Sequence, residues 1–238
     1  MSTIKNLKIN IFADGASIQD MFNLNKKNYI SGFTTNPSLM KQAGITDYKT
    51  FAMQILKKIN YKSVSFEVTS DSFDDMEKQA LEIKKWSKNI FIKIPFTNSK
   101  GKTTIDLIKL LSDRGLKLNI TSVFTYQQAK KVLNVLNKNS EAYISIFAGR
   151  IADTGRDPVK IIKKCVIASK EFKKVSILWA SCREIYNIFE ADRAGCHIIT
   201  VPNSILKKFS LIGKNLEEYS VETARDFYLD SKDIIFKF

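Results

Sequence analysis

The sequence predicts an α/β protein, a (β/α)8 TIM barrel formed by residues 1–238 as a single domain with a helical tail over about 203–238. Three observations predict it. Short β-rich runs, each followed by a helix-length amphipathic segment, occur eight times. The repeat is about 30 residues long, the size of a βα unit, and no polar or Pro/Gly-rich linker interrupts it. Several of the strands are apolar at nearly every position, as parallel strands covered by helices require. A doubly wound open sheet is the alternative reading of the same alternation, but no GxGxxG or GxxxxGK[ST] loop supports a nucleotide-binding version of it.

In chain order, residues 7–13 (LKINIFA) make the first strand and lead to a short helix; residues 29–35 make the second, followed by a helix near 47–59. Residues 63–68 precede a helix over 73–87, in which Phe73, Met76, Ala80, Ile83 and Trp86 recur at helical spacing with Asp, Glu and Lys between them. Residues 90–95 precede a helix over 103–113, residues 117–123 one over 126–136, and residues 142–147 one over 158–172. The seventh strand, 175–180, is followed by a helix over 183–194, and the eighth, 197–201, by the tail.

With 44% hydrophobic residues, a chain of 238 can bury a substantial core. Nine Gly, four Pro and 26% charged residues exclude collagen-like and wholly disordered classes. No apolar run approaches the roughly 20 residues of a membrane span. The first residues, MSTIKNLKIN, do not resemble a signal peptide, and three cysteines without paired spacing fit a reducing compartment. A cytoplasmic protein without a membrane partner is expected. The net charge of +14 invites a nucleic-acid reading. Only six of the 38 basic residues are Arg, however, and the lysines are scattered in pairs such as Lys57-Lys58, Lys84-Lys85, Lys130-Lys131, Lys163-Lys164 and Lys173-Lys174. Nucleic-acid readers concentrate Arg forks and aromatic platforms on one surface, so these lysines read as solvated helix faces and no nucleic-acid partner is expected.

In such a barrel the chemistry lies at the C-terminal ends of the strands. The polar residues there are Asp14, Asn36 in FTTNPS, Glu67 in SFEVTS, Lys93 in IFIKIP, Asn119 and Thr121 in LNITSVF, Ser145 and Arg150 in YISIFAGR, and Ser181 and Arg183 in WASCR. Lys93 is the most informative, since it sits in an otherwise apolar strand. It either points outward into an ion pair or inward to the lumen, where loss of water favours the free amine, a nucleophile for a carbonyl. Glu67 and Asp14 are its expected partners. Glu67 interrupts an apolar strand and needs a cation or a catalytic role. Asp14 either acts in the site or caps the following helix, and Asn36 before Pro37 also fits a turn or cap. Arg150 and Arg183 stand out in a chain that otherwise chooses Lys, and their planar forks suit a phosphate. With His197 the only histidine, and that at the start of a strand, neither a His-rich metal site nor a Ser-His-Asp triad is supported. Cys182 and Cys196 read as buried small hydrophobes.

Together the strings FTTNPSLM, FEVT, IKIP, LNITSVFTYQQA, YISIFAGR and ASCR resemble the transaldolase family, from Asp14 to about Pro202. The resemblance implies a barrel with no metal and no cofactor, and a Schiff base on Lys93 with sugar-phosphate substrates. By position it implies Asp14 as the base on the C4 hydroxyl, and Glu67, helped by Thr121 through a water, as the proton carrier for carbinolamine formation. It assigns Asn36, Asn119 and Ser145 to a dihydroxyacetone unit, and Arg150, Ser181 and Arg183 to the phosphate. The related fructose-6-phosphate aldolases typically have Gln at the Glu67 position and Tyr at the Phe147 position, so Glu67 and Phe147 imply the transferase type. The chain departs from the family pattern in ADGA after the first strand and in Ile146, where Pro is common. Its length is similar to the short branch of the family, which implies a homo-oligomer assembled through the C-terminal helix.

Overall fold

The computed structural model describes residues 6–235. Eight parallel strands close a barrel in sequence order: β1 (Asn10–Asp14), β2 (Ile30–Thr34), β3 (Ser63–Glu67), β4 (Ile90–Pro95), β5 (Leu118–Val123), β6 (Ala142–Ile146), β7 (Val175–Trp179) and β8 (Ile198–Pro202). Five residues of β8 pair with β1, from Asn10↔Ile198 to Asp14↔Pro202, so no strand edge is left and the open doubly wound sheet is excluded. The first strand starts later than its apolar run predicts. The amides of Lys8 and Ile9 donate to Asp192 Oδ1 at 2.8 and 3.0 Å instead of to a neighbouring strand.

The outer layer contains α1 (Ile18–Asn25), α2 (Pro37–Gln42), α3 (Tyr48–Lys58), α4 (Phe73–Lys84), α5 (Ile105–Asp113), α6 (Tyr126–Val135), α7 (Ala148–Ala152), α8 (Val159–Ser169) and α9 (Tyr186–Arg193). Helix starts follow local chemistry. Ser17, Asp47, Ser72 and Thr125 accept hydrogen bonds from first-turn amides, and Thr125 with Gln128 forms a reciprocal capping box. The short helices α2 and α7 escape periodicity because they are too brief to show a stripe. The predicted tail is broken: α10 (Asn203–Leu206) runs into a 3-10 turn (Lys207–Leu211), and α11 (Leu216–Asp230) starts anew from Asn215, whose side chain accepts from the Glu217 and Glu218 amides. Residues 236–238 of the predicted tail lie outside the described residues.

Apolar residues fill two regions. Between sheet and helices, Phe33, Phe66, Ile92, Ile94 and Trp179 pack against stripes such as Met76, Ala80 and Ile83 of α4. Each large side chain removed from water there contributes about 1.5–3 kcal/mol. Inside the barrel, Phe91 stacks on Tyr143 with ring centroids 3.8 Å apart, and Phe12 meets Tyr143 edge-on at 5.7 Å. Gly32 makes room for this plug, since a Cβ there would lie 2.7 Å from Phe12 Cζ. The aromatic layer fills the lower lumen, so the open space lies above it, at the C-terminal strand ends. The lysine pairs singled out in the sequence are all exposed on the outside.

Candidate active site

A cavity of about 550 Å³ opens at the C-terminal end of the barrel. Its wall includes Asp14, Asn36, Glu67, Lys93, Asn119, Thr121, Ser145, Phe147, Arg150, Ser181 and Arg183, so every candidate collected from the sequence borders one space. Strand register explains the convergence. Glu67 is the lateral partner of Lys93, and Lys93 of Asn119, which sets three polar side chains side by side on the lumen face. On β4 the alternation is strict: Ile90, Ile92 and Ile94 join the core under the helices, while Phe91 and Lys93 turn inward.

Lys93 is 7% exposed. Its Nζ donates to the Thr35 carbonyl at 2.7 Å and to Glu67 Oε2 at 3.1 Å. The other Glu67 oxygen, Oε1, accepts from Thr121 Oγ1 at 3.1 Å. The carboxylate therefore bridges the amine and the hydroxyl. Burial of such a pair is costly unless both partners are satisfied, and here both are.

Asp14 does not cap the following helix. Ser17 does that, and Asp14 Oδ1 instead accepts from Thr34 Oγ1 at 2.7 Å. Thr34 has given its only proton to Asp14, so in its contact with Thr200 the Thr200 hydroxyl is the donor. Burial pushes the Asp14 carboxyl above its ordinary value, outweighing the pull of Lys93 and the Thr34 hydrogen bond in the other direction. A carboxylate so placed is a stronger base than a solvated aspartate.

On the next strands, Ser145 Oγ donates to Asn119 Oδ1 at 2.6 Å and Asn119 Nδ2 donates to Ser65 Oγ at 3.1 Å. This fully buried chain fixes the Asn119 amide with its donors and acceptor assigned. Asn36 both borders the cavity and caps α2, its Oδ1 accepting from the Leu39 amide at 3.0 Å. The cap reading of Asn36 thus stands beside its place in the wall.

The two arginines lie at the mouth, Arg150 on α7 and Arg183 just after β7. Asp153, one turn after Arg150, accepts from Arg183 Nε at 3.3 Å and also from its Nη2. The Arg183 guanidinium holds the Asp153 carboxyl below its ordinary value, with a smaller contribution from Arg150. Arg150 itself lies over the Phe147 ring, 5.8 Å from its centroid. Gly149 lets α7 press against β7: a Cβ there would fall 1.7 Å from the Ser181 carbonyl oxygen. Ser181 in turn adopts a left-handed φ of 63°, which turns the chain toward Arg183. Replacing Gly149 by Ala should therefore push the two arginine-bearing segments apart. The expected loss is about 1–3 kcal/mol of stability, a typical overpacking penalty. Thermal unfolding of Gly149→Ala checks it; an unchanged Tm would show that the close approach does not matter.

Sequence reading missed Thr34, Ser65, Thr200 and Asp153. Thr34 lies inside the FTTNPS string, and Ser65 and Thr200 are polar residues in apolar strands at the alternation that faces inward, a signal that could have found them. Asp153 had only its spacing from Arg150 to mark it. His197 is structural: its Nδ1 accepts from the Ile177 amide at 2.9 Å and burial lowers its pKa. Burial pushes the thiols of Cys165, Cys182 and Cys196 up to about 12, away from nucleophilic use. Among the described residues no three His, Cys, Asp or Glu side chains form a metal-binding group, and no helix is long and apolar enough to cross a membrane.

Comparison with known proteins places this arrangement in context. The barrel is similar to the crystal structure of dihydrodipicolinate synthase from Rhodopseudomonas palustris, with a TM-score of 0.53 over 81% of this chain and 69% of that one; at 12% identity the likeness concerns the fold alone. In sequence, the chain is 36% identical to a probable transaldolase of Dehalococcoides mccartyi over 82% of this chain and 88% of the relative. A probable transaldolase of Thermoanaerobacter sp. is 34% identical over 82% and 86% of the two chains. One of Nitrosopumilus maritimus is 32% identical over 83% and 86%. The family described as Transaldolase/Fructose-6-phosphate aldolase matches residues 11–236, a span that carries every side chain of the cavity wall, and the chain belongs to that family.

Proposed function

We propose that the protein is a transaldolase that moves a dihydroxyacetone unit from a ketose phosphate to an aldose phosphate through an imine on Lys93. The observation that carries the reading is the buried Lys93 amine in the lumen, 3.1 Å from the Glu67 carboxylate. Cleaving a ketose between C3 and C4 leaves an electron pair on C3. A protonated imine at C2 takes it up as an enamine, which calls for an amine nucleophile.

Lys93 gives a proton to Glu67 and attacks the C2 carbonyl. Glu67, steadied by Thr121, then protonates the carbinolamine hydroxyl, water leaves, and the iminium forms. Asp14 takes the C4 hydroxyl proton; the C3–C4 bond breaks, the aldose phosphate departs and the enamine remains on Lys93. The enamine attacks the carbonyl carbon of a second aldose phosphate, Asp14 returns the proton to the new C4 oxygen, and water adds to the imine to release the new ketose. Asn36, Asn119 and Ser145 hold the hydroxyls of the three-carbon unit. Arg150, Arg183 and Ser181 bind the phosphate at the mouth, where the planar guanidinium groups fit its oxygens.

Phe147 supports transfer over release. Its ring borders the cavity without a proton to give, so it cannot quench the enamine as a tyrosine hydroxyl could, and the intermediate persists until an acceptor arrives. With fructose 6-phosphate and a four-carbon aldose phosphate, the protein should produce a seven-carbon ketose phosphate and a three-carbon aldose phosphate. Product analysis by mass spectrometry checks this. Sustained release of dihydroxyacetone without an acceptor would replace the transferase reading by an aldolase; no product under either condition would remove both.

A further inference from the structure

The ladder between β2 and β3 stops before β3 does. Partners run Gly32↔Ser63, Phe33↔Val64 and Thr34↔Ser65, after which the Thr35 amide makes a last bond of 3.4 Å to the Ser65 carbonyl and the chain turns at Asn36-Pro37 into α2. Two residues of β3 remain, Phe66 and Glu67. In a parallel strand the N–H and C=O of one residue point to the same side, alternating along the chain. The Val64 and Val68 amides bond to the β4 side, to the carbonyls of Asn89 and Lys93. Glu67 therefore faces the β2 side, where no strand is left to pair with it.

Tyr48 takes that place. Its hydroxyl accepts from the Glu67 amide at 2.8 Å and donates to the Glu67 carbonyl at 2.9 Å, doing with one oxygen what a strand residue does with two groups. The ring is held edge-on by Phe66 at 6.0 Å and Trp86 at 5.8 Å, and Asp47 caps α3 immediately before it. Burial raises the Tyr48 pKa, so the hydroxyl keeps the proton it donates. We propose that Tyr48 is a positioning residue for Glu67: by standing in for the missing β2 residue it fixes the backbone from which the carboxylate reaches both Lys93 and Thr121. The inference rests on the proton-carrying role of Glu67 in the Schiff-base reading, and Tyr48 itself borders the helix side, outside the cavity.

The test is a comparison of Tyr48→Phe, Glu67→Gln and the double variant in the transfer assay. Tyr48→Phe keeps the ring and removes both bonds; kcat should fall about tenfold to a hundredfold, the scale of a small misplacement of a reacting group. KM for the ketose phosphate should stay within about twofold, because the substrate contacts are untouched. In the double variant the Tyr48 loss should vanish against Glu67→Gln, since the side chain it positions is already disabled. Ile162→Val on α8 serves as the stability control: it removes a buried methylene from the core without touching the Tyr48 ring, and should lower Tm without lowering kcat. Should Tyr48→Phe fail to fold, 3,5-difluorotyrosine at position 48 keeps the ring and weakens the acceptor oxygen, and a fall in kcat that is absent in the Glu67→Gln background is again expected.

Unchanged kcat in Tyr48→Phe, losses that multiply in the double variant, or an equal loss in Ile162→Val would each overturn the proposal while leaving the transferase reading intact. Absence of transfer by the wild type would remove both together.

Discussion

Borohydride reduction in the presence of a ketose phosphate should leave a stable mass increment on Lys93, and Lys93→Ala should lose both the increment and turnover. The expected fall in kcat is about 10⁵-fold or more, the scale of removing a covalent nucleophile. Alanine alone leaves a doubt of interpretation, because it also deprives Glu67 of the cation 3.1 Å away. Breaking such a buried pair destabilises by about 3–5 kcal/mol, so a misfolded variant would look catalytically dead. Lys93→Arg separates the two effects. The guanidinium keeps the positive charge beside Glu67 but stays protonated and forms no imine. Lys93→Arg should therefore be as inactive as Lys93→Ala while retaining more of the wild-type Tm. Peptide mapping of the reduced wild type decides the chemistry: an adduct on another lysine, or turnover by Lys93→Arg, would end the Schiff-base assignment.

Asp14→Asn should lower kcat by about 10²–10⁴-fold, the usual contribution of a positioned general base, while the imine on Lys93 still forms and is still trapped. The asparagine oxygen can still accept from Thr34, so the site stays assembled and only the base is lost. The same substitution should stabilise the protein at neutral pH. In the native state burial raises the Asp14 pKa above its value of 3.8 in the unfolded chain. Between the two pKa values the native state binds more protons, so stability falls as pH rises through that window. Above it, the native state carries the full cost of an ionised buried carboxylate, and Asn removes that cost. Tm should rise by about 2–4 °C for each kcal/mol recovered, and the difference should shrink to nothing as pH is lowered below 3.8. Unfolding curves of both proteins across pH measure it, and a lower Tm for Asp14→Asn at neutral pH would contradict the sign. In wild-type activity, the acid limb of the kcat profile should lie above the ordinary aspartate value and should be lost in Asp14→Asn.

Most of the barrel is legible in local sequence pattern. Strands buried on both faces read as apolar runs, and helices such as α4 show their stripe in Met76, Ala80 and Ile83. The errors fall where local pattern is weak. Helices α2 and α7 are a turn or so long, and the tail breaks at 212–215 because a cap at Asn215, not periodicity, starts α11. The strand-end candidates also converge as expected, since a barrel gathers the C-terminal ends of all its strands at one face.

What the sequence determined by itself is therefore the alternation of strand and helix, the closure it allows, and the polar residues that interrupt apolar strands at their ends. Each of these is a property of a residue and its near neighbours. Only the tertiary structure decided which way Lys93 points, that Asp14 answers to Thr34 and not to a helix end, that Asp153 joins the arginines, and that Tyr48 completes a strand pairing 19 residues away. Those facts depend on register between strands and on which backbone groups the ladder leaves unpaired. Both are set by how far each strand runs before its neighbour turns away, a relation between distant segments that no local pattern encodes.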